Sequence, residues 1–322
     1  MRKPAVDVRR LADFLAERLR IVALELSPLD VKCAWPVFRG TAVGRPPVFV
    51  KVTDRAAAER TLAFLRTAAA GCDLLPRPVL DDAPEFAGHA VLCLEWRTAR
   101  TVNAEDMTDA QLAGFLAGCR TLSRALAAYR GEVVAAAEDS PEAQHAALAG
   151  YAARHPLAGR LLRPLVDIPE AERSYRGHEL VTIHGDLQPK NYGFDGDRLA
   201  AVFDTDDLAR GLACEDAAYA FTERARRSEL SAEKRRRLTA LFRKAVAESP
   251  WPRGEWLIAV NHARLRIASR RLANHPDSPF IGFDIARRDR PLRDLAEALR
   301  LTDMAGRGEI RAESVSRGTA AH

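Results

Sequence analysis

Two periodicities of hydrophobic and polar positions run along this chain, and the first change between them falls near residue 30. Within residues 7–26, Val8, Leu11, Leu15 and Leu19 recur at three- and four-residue spacing with Asp13, Glu17, Arg18 and Arg20 between them. That pattern predicts an amphipathic helix, ended by Ser27-Pro28. From Asp30 to Val52 short apolar runs are broken by Gly40, Gly44, Pro46 and Pro47 and close on Val48-Phe49-Val50-Lys51-Val52, which predicts a small antiparallel sheet. Asp54 then reads as the N-cap of an Ala-rich helix from Arg55 to Leu65 that packs on the sheet. Pro76 and Pro78 make Leu74–Leu80 an edge or extended connection, and His89–Trp96 reads as an apolar strand.

Beyond that strand the pattern turns helical. Thr108 and Gln111 form a capping-box pair ahead of an apolar face of Leu112, Phe115, Leu116, Cys119, Leu122 and Leu126. Residues 131–175 are rich in Ala and Glu and predict further helices. Strands return between Leu180 and Phe203, and everything after about Asp216 reads as helix, including Glu255–Leu272 with Ile258, Leu265 and Leu272 repeating every seven residues. Gly306–His322 shows no periodicity and is expected to be a disordered tail. The expected division is therefore 1–96, 97–305 and a tail of 306–322. No internal repeat of solenoid or propeller length is found.

Composition narrows the classes. With 322 residues, 47% hydrophobic and 29% charged, the chain is a folded globular protein long enough for two lobes, and not a disordered or collagenous one. A net charge of +5 falls short of the dense basic stripe of a nucleic-acid binder, so no nucleic-acid partner is expected. Cys33, Cys72, Cys93, Cys119 and Cys214 contain no C-x-x-C pair and read as reduced, mostly buried thiols. Charges at Arg2, Lys3, Asp7, Arg9 and Arg10 interrupt any apolar signal segment, and no stretch is long and apolar enough to span a bilayer, so the cytoplasm is the expected compartment.

Candidate chemistry is concentrated between Val181 and Asp206. One apolar run ends on His184-Gly185-Asp186. Two more, Tyr192–Phe194 and Leu199–Phe203, are joined through Asp195-Gly196, a favoured hairpin turn. The hairpin would bring Asp204 back beside Asp186 and Asn191. Two carboxylates so placed raise each other's pKa and resist burial unless a cation neutralises them, and Mg2+ suits such oxygen ligands when substrate phosphates complete its shell.

This arrangement resembles the catalytic loop of the protein-kinase-like fold, in particular the aminoglycoside phosphotransferase and choline kinase family, whose signature is H-G-D-x-x-x-x-N followed by a strand ending in Asp. The resemblance implies an α+β, two-lobed protein-kinase-like fold with a small antiparallel-sheet N-lobe and a larger, mostly helical C-lobe. It implies a small-molecule kinase using ATP (or GTP) and Mg2+, with Asp186 as catalytic base, Asn191 and Asp204 on the metal, and Asp206 assisting a second metal ion or the acceptor. His184 would support the loop. Gly211 and Asp216 match a further family pattern in which Asp216 braces it. Lys51 on its strand would hold phosphate and pair with Glu59 on the next helix. An isolated strand Lys is ordinarily a solvated charge, but the order Lys51, Glu59, Asp186, Asn191, Asp204 reverses that expectation. Glu95-Trp96 would form the hinge whose backbone meets adenine.

Three features depart from the family. Phe38–Gly44 contains two glycines and no G-x-G-x-x-G; Gln188 stands where many relatives have His; and no A-P-E motif follows Asp204, which disfavours protein substrates. From Gly211 to His322 there are 22 Lys and Arg against 15 Asp and Glu, whereas the remainder carries 27 against 29. That balance favours a neutral or anionic acceptor such as a sugar, nucleoside, antibiotic or related metabolite over a polycation. Gln188 and a stripe of His262, Arg266 and Arg270 are candidate acceptor contacts, while Lys234–Arg237 reads as an exposed charge run. Alternatives at this stage are a catalytically weak or inactive nucleotide-binding scaffold, and a lipopolysaccharide-core or ketosamine kinase-like enzyme.

Overall fold

Asp7 opens the first helix, α1 (Val8–Leu19), by accepting a hydrogen bond from the Arg10 amide at 3.1 Å. In this computed structural model, which describes residues 4–29, 35–131, 133, 140–227, 229–275, 278 and 280–306, the helix stops earlier than the pattern predicts. Arg20 takes the left-handed conformation as its C-cap, and Glu25–Pro28 forms an edge strand, β1, instead of a last helical turn. A sheet edge is one of the few strand positions that tolerates Pro28.

β1, β2 (Val37–Thr41), β3 (Val48–Thr53), β4 (Glu85–Phe86) and β5 (His89–Glu95) make an antiparallel sheet in the order β1-β2-β3-β5-β4. Strand side chains alternate between faces, and both faces are covered. On one, Val48, Val50, Val52, Val91 and Cys93 pack with Leu11, Leu15 and Ala16 of α1. On the other, Ala90 and Leu92 pack with Ala58 and Leu62 of α2 (Arg55–Ala68), which Asp54 caps as predicted, accepting from the Ala57 amide at 2.8 Å. Lys51, between Val50 and Val52, therefore points to the α2 face.

The remaining elements are α3 (Asp109–Ala127), α4 (Pro141–Arg154), α5 (Pro156–Val166), β6 (Val181–Ile183), β7 (Tyr192–Asp195), β8 (Arg198–Val202), β9 (Ala209–Gly211), α6 (Glu215–Ala225), α7 (Ala232–Glu248), α8 (Arg253–Asn274) and α9 (Ile281–Gly306). The capping box of α3 is present: the Thr108 amide donates to Gln111 Oε1, and the Gln111 amide to Thr108 Oγ1, each at 3.1 Å. β7 and β8 are the predicted hairpin, with Gly196 at φ +58° in the turn; β6 pairs with β9.

Contacts divide the chain into two compact units that are not consecutive blocks. One comprises Met1–Val102, Ala117–Val134 and Val181–Arg210; the other comprises Asn103–Leu116, Ala135–Leu180 and Gly211–His322. The sequence division at 96/97 differs, because the segment bearing His184, Asp186, Asn191 and Asp204 groups with the N-terminal sheet. Val202 donates to the Leu74 carbonyl at 2.8 Å, and Arg100 exchanges backbone hydrogen bonds with Phe194 at 2.9 and 2.8 Å.

Leu148 and Tyr151 of α4, Leu162 and Leu165 of α5, Leu265 and Leu272 of α8 and Ile285 of α9 form the core of the second unit. Arg264, almost fully buried, donates to both oxygens of Asp289 at 2.7 and 2.9 Å, to Asn261 and to the Pro164 carbonyl. Among the described residues no helix is long and apolar enough to cross a membrane, and Cys72, Cys93, Cys119 and Cys214 are buried. Cys33 and the tail from 307 lie outside the described residues; Gly306, expected in that tail, closes α9.

Candidate active site

The site is built on the turn after β6 and on the two ends of the β7–β8 hairpin, all within the first unit. His184 is fully buried. Its Nε2 meets the Phe203 carbonyl at 2.8 Å, so that nitrogen donates; its Nδ1 accepts from the Asp186 amide at 3.3 Å. One ring thereby ties the loop carrying Asp186 to the strand end that leads into Asp204. Gly185 follows at φ +79°, where a Cβ would come within 2.1 Å of the Asp207 carbonyl oxygen. Only glycine permits that approach.

Asp186 is held by two hydrogen-bond donors. Gln188 Nε2 reaches both carboxylate oxygens, at 2.8 and 2.7 Å, and Asn191 Nδ2 reaches Oδ2 at 2.9 Å and the Asp186 carbonyl at 2.8 Å. Lys190 Nζ lies 3.9 Å from the same Oδ2. With its amide nitrogen so engaged, Asn191 has Oδ1 as the atom suited to a cation. The Phe203 amide donates to the Asn191 carbonyl at 2.8 Å, one step beyond the Tyr192–Val202 pair of the hairpin, which sets Asn191 and Asp204 at neighbouring strand ends. Asp204 adopts the left-handed conformation, φ 58° and ψ 65°, which Asp tolerates better than most residues, and leads into a 3-10 turn over Thr205–Asp207.

Lys51 completes the cluster. Its Nζ donates to Asp204 Oδ1 at 2.9 Å and to Asp206 Oδ2. Burial alone pulls the Lys51 pKa down, but Asp204 and Asp206 outweigh it and raise it above the ordinary value. Burial likewise pushes Asp204 up, and Lys51 overrides this to hold the carboxyl below its usual range. The result is a buried ammonium beside an ionised carboxylate. Among the described residues no group of three or more His, Cys, Asp and Glu forms a complete metal cage. The donor set of one amide oxygen and one ionised carboxylate fits Mg2+, which fills its shell with water and substrate phosphate.

Two sequence expectations are corrected. Glu59 does not pair with Lys51: it lies on the outer face of α2, largely exposed, 3.5 Å from Arg55. Ala58, Thr61, Leu62 and Leu65 face inward, and a step of one residue turns the side chain by about 100°. His262, Arg266 and Arg270 do not form an acceptor stripe. His262 is buried and donates through Nδ1 to Glu215 Oε2 at 3.1 Å, against the Tyr175 hydroxyl; Arg266 stacks on Tyr219 at 4.5 Å; Arg270 is exposed. Gln188, a candidate acceptor contact, donates through Nε2 to both carboxylate oxygens of Asp186. Asp216 is buried in the first turn of α6.

At the expected hinge residues, the Glu95 amide donates to the Arg77 carbonyl at 2.8 Å and the Trp96 amide to the Pro47 carbonyl at 3.3 Å, while Arg39 stacks over the Trp96 ring at 5.1 Å. Both amides thus have partners inside the protein. Of the run Lys234–Arg237, Lys234 pairs with Asp106 at 3.1 Å and Arg237 donates to the Met107 carbonyl at 3.1 Å. Sequence reasoning missed Lys190 and Thr61. Lys190 is recognisable as a cation within the His184–Asn191 segment, but Thr61, in an Ala-rich helix, carries no signal.

A family model described as the phosphotransferase enzyme family matches residues 36–257. No curated protein sequence matches. Among solved structures, the chain is similar to an aminoglycoside phosphotransferase from Alicyclobacillus acidocaldarius subsp. acidocaldarius, with a TM-score of 0.59 and 12% identity over 96% of this chain and 98% of that one. It is also similar to an amicoumacin kinase in complex with AMP-PNP, Ca2+ and Ami, with a TM-score of 0.55 and 14% identity over 84% and 88%. A third is a thermostable mutant of an aminoglycoside phosphotransferase in a ternary complex with ADP and hygromycin B, with a TM-score of 0.52 and 17% identity over 89% and 98%. These likenesses establish the kinase-like fold.

Proposed function

The chain belongs to the phosphotransferase enzyme family, and from that premise we propose that it transfers the γ-phosphoryl group of ATP, with Mg2+, to a hydroxyl of a small neutral or anionic molecule. The observation that carries the reading is the convergence, within one unit, of Asp186, Asn191, Asp204 and Lys51 through the contacts described above. The basic excess after Gly211 supports the acceptor class.

Each residue has a task its chemistry suits. Asp186, fixed by Gln188 and Asn191, orients the acceptor hydroxyl and receives its proton. Lys51 supplies a buried positive charge to the phosphates. Asn191 and Asp204 would hold Mg2+, which, when bound, neutralises charge on the transferring group. His184 keeps the two loops in register. The protein's contribution is positioning and charge neutralisation, with no covalent step on the chain.

The test is thermal unfolding of the wild type and of Asp204→Ala, with and without millimolar ATP and Mg2+, followed by an ATP-consumption screen over sugars, nucleosides, hydroxylated antibiotics and anionic metabolites. Nucleotide at 100 times its Kd adds about 2.7 kcal/mol to the folded state. The reading expects that shift in the wild type and its loss in Asp204→Ala. Asp186→Asn should lower turnover on the acceptor found by about 10²–10⁴-fold and leave nucleotide binding intact. A wild type that binds neither ATP nor GTP would overturn it.

A further inference from the structure

Lys51 has two carboxylates within reach, and the proposed function engages only one of them. Both come from the hairpin end: Asp204, the last residue before the 3-10 turn, and Asp206 inside it. Once Asp204 serves a metal, Asp206 is the anion left to hold the buried ammonium. A lysine ammonium is a compact charge on a flexible stem, so it reaches a phosphate reliably only when a second group fixes its position.

In the resemblance that group is a carboxylate on the helix after the lysine strand. Here the inward face of α2 carries Ala58, Thr61, Leu62 and Leu65, whereas Glu59 points outward to Arg55. What α2 presents to the site is the buried Thr61 hydroxyl, which donates to Asp206 Oδ1 at 3.4 Å, while Asp206 Oδ2 accepts from Lys51. The two carboxylate oxygens thus bridge the helix hydroxyl and the strand ammonium.

The geometry points to Asp206 as the positioning residue of Lys51, steadied by Thr61 and standing where the resemblance places a helix glutamate. The inference rests on the phosphotransferase reading and deepens it. Its consequence is that the anchor for the phosphate-binding lysine sits two residues from Asp204, in the same turn, so both are set by one backbone segment instead of by the placement of a helix carboxylate.

The experiment measures ATP and ADP affinity by calorimetry, once in EDTA and once with Mg2+, for the wild type, Lys51→Met, Asp206→Asn, Asp206→Glu, Thr61→Val, Glu59→Gln and the double variant K51M/D206N. Circular dichroism melts confirm that each is folded. In EDTA a metal-ligand role is silent, whereas a lysine-positioning role still acts. Asp206→Asn should weaken metal-free nucleotide binding by about tenfold or more, and K51M/D206N should bind no more weakly than Lys51→Met alone. Asp206→Glu should recover part of the loss, Thr61→Val should show a smaller one, and Glu59→Gln should stay within about twofold of wild type. Additive losses in the double variant, a defect of Asp206→Asn confined to the Mg2+ arm, or a loss in Glu59→Gln equal to that in Asp206→Asn would each overturn the inference and leave the phosphotransferase reading standing. A wild type that binds no nucleotide in either arm overturns both.

Discussion

Gly185 shows how a single residue type can be demanded by its surroundings. With φ at +79° and the Asp207 carbonyl 2.1 Å from where a Cβ would stand, Gly185→Ala should cost more than about 2 kcal/mol in urea unfolding and remove turnover, because the loop must move away from the Asp204 turn. Cys93 makes a converse point. Enclosed in the β3–β5 sheet, its thiol is pushed up to about 12 by burial, so peptide mapping after treatment with a thiol reagent at pH 8 should find Cys93 unmodified in the native protein and modified only in denaturant. The H-G-D-x-x-x-x-N spacing was legible because its residues are neighbours in sequence. The partner of Lys51 was not, since Asp206 lies 155 positions away and Glu59 is turned from the site by one residue's rotation on α2.

Element ends followed local rules closely. Asp54 caps α2 and Thr108 with Gln111 caps α3, both expected from short-range pattern, and Asp54→Ala should destabilise the protein by about 1 kcal/mol in denaturant titration. The exception is α1, where continued apolar spacing suggested helix up to residue 26 while pairing of Glu25–Pro28 with β2 captured the last residues as a strand. Pairing across a sheet is a tertiary gain that periodicity does not report. In the second unit the Arg264–Asp289 pair ties α8 to α9 with both side chains out of water. Asp289→Ala leaves a buried guanidinium without its anion and should cost about 3–5 kcal/mol, measurable as a lower urea midpoint with an unchanged m value.

Across the molecule, the acid side of the stability curve has a defined sign. Asp204 is lowered by Lys51 against the effect of burial, and Glu215 by His262, also against burial. A carboxylate depressed in the folded state contributes stability above its unfolded pKa and loses it as pH falls through the folded one. Melting temperature should therefore decline as pH drops below about 4.5, the ordinary glutamate value, and the decline should be shallower in Glu215→Gln; an equal slope in melts from pH 3 to 7 would exclude Glu215 as a contributor. By itself the sequence determined the H-G-D-x-x-x-x-N motif, the hairpin that returns Asp204, the apolar faces of α1 and α3 and the family, because each is written in spacings of a few residues. Tertiary structure alone decided which acid meets Lys51, that His262 belongs to a buried cluster with Glu215 and Tyr175, and that Val181–Arg210 groups with the N-terminal sheet. Those outcomes depend on side chains scores of residues apart competing for the same few ångströms, and burial and charge settle that competition only once the chain has folded.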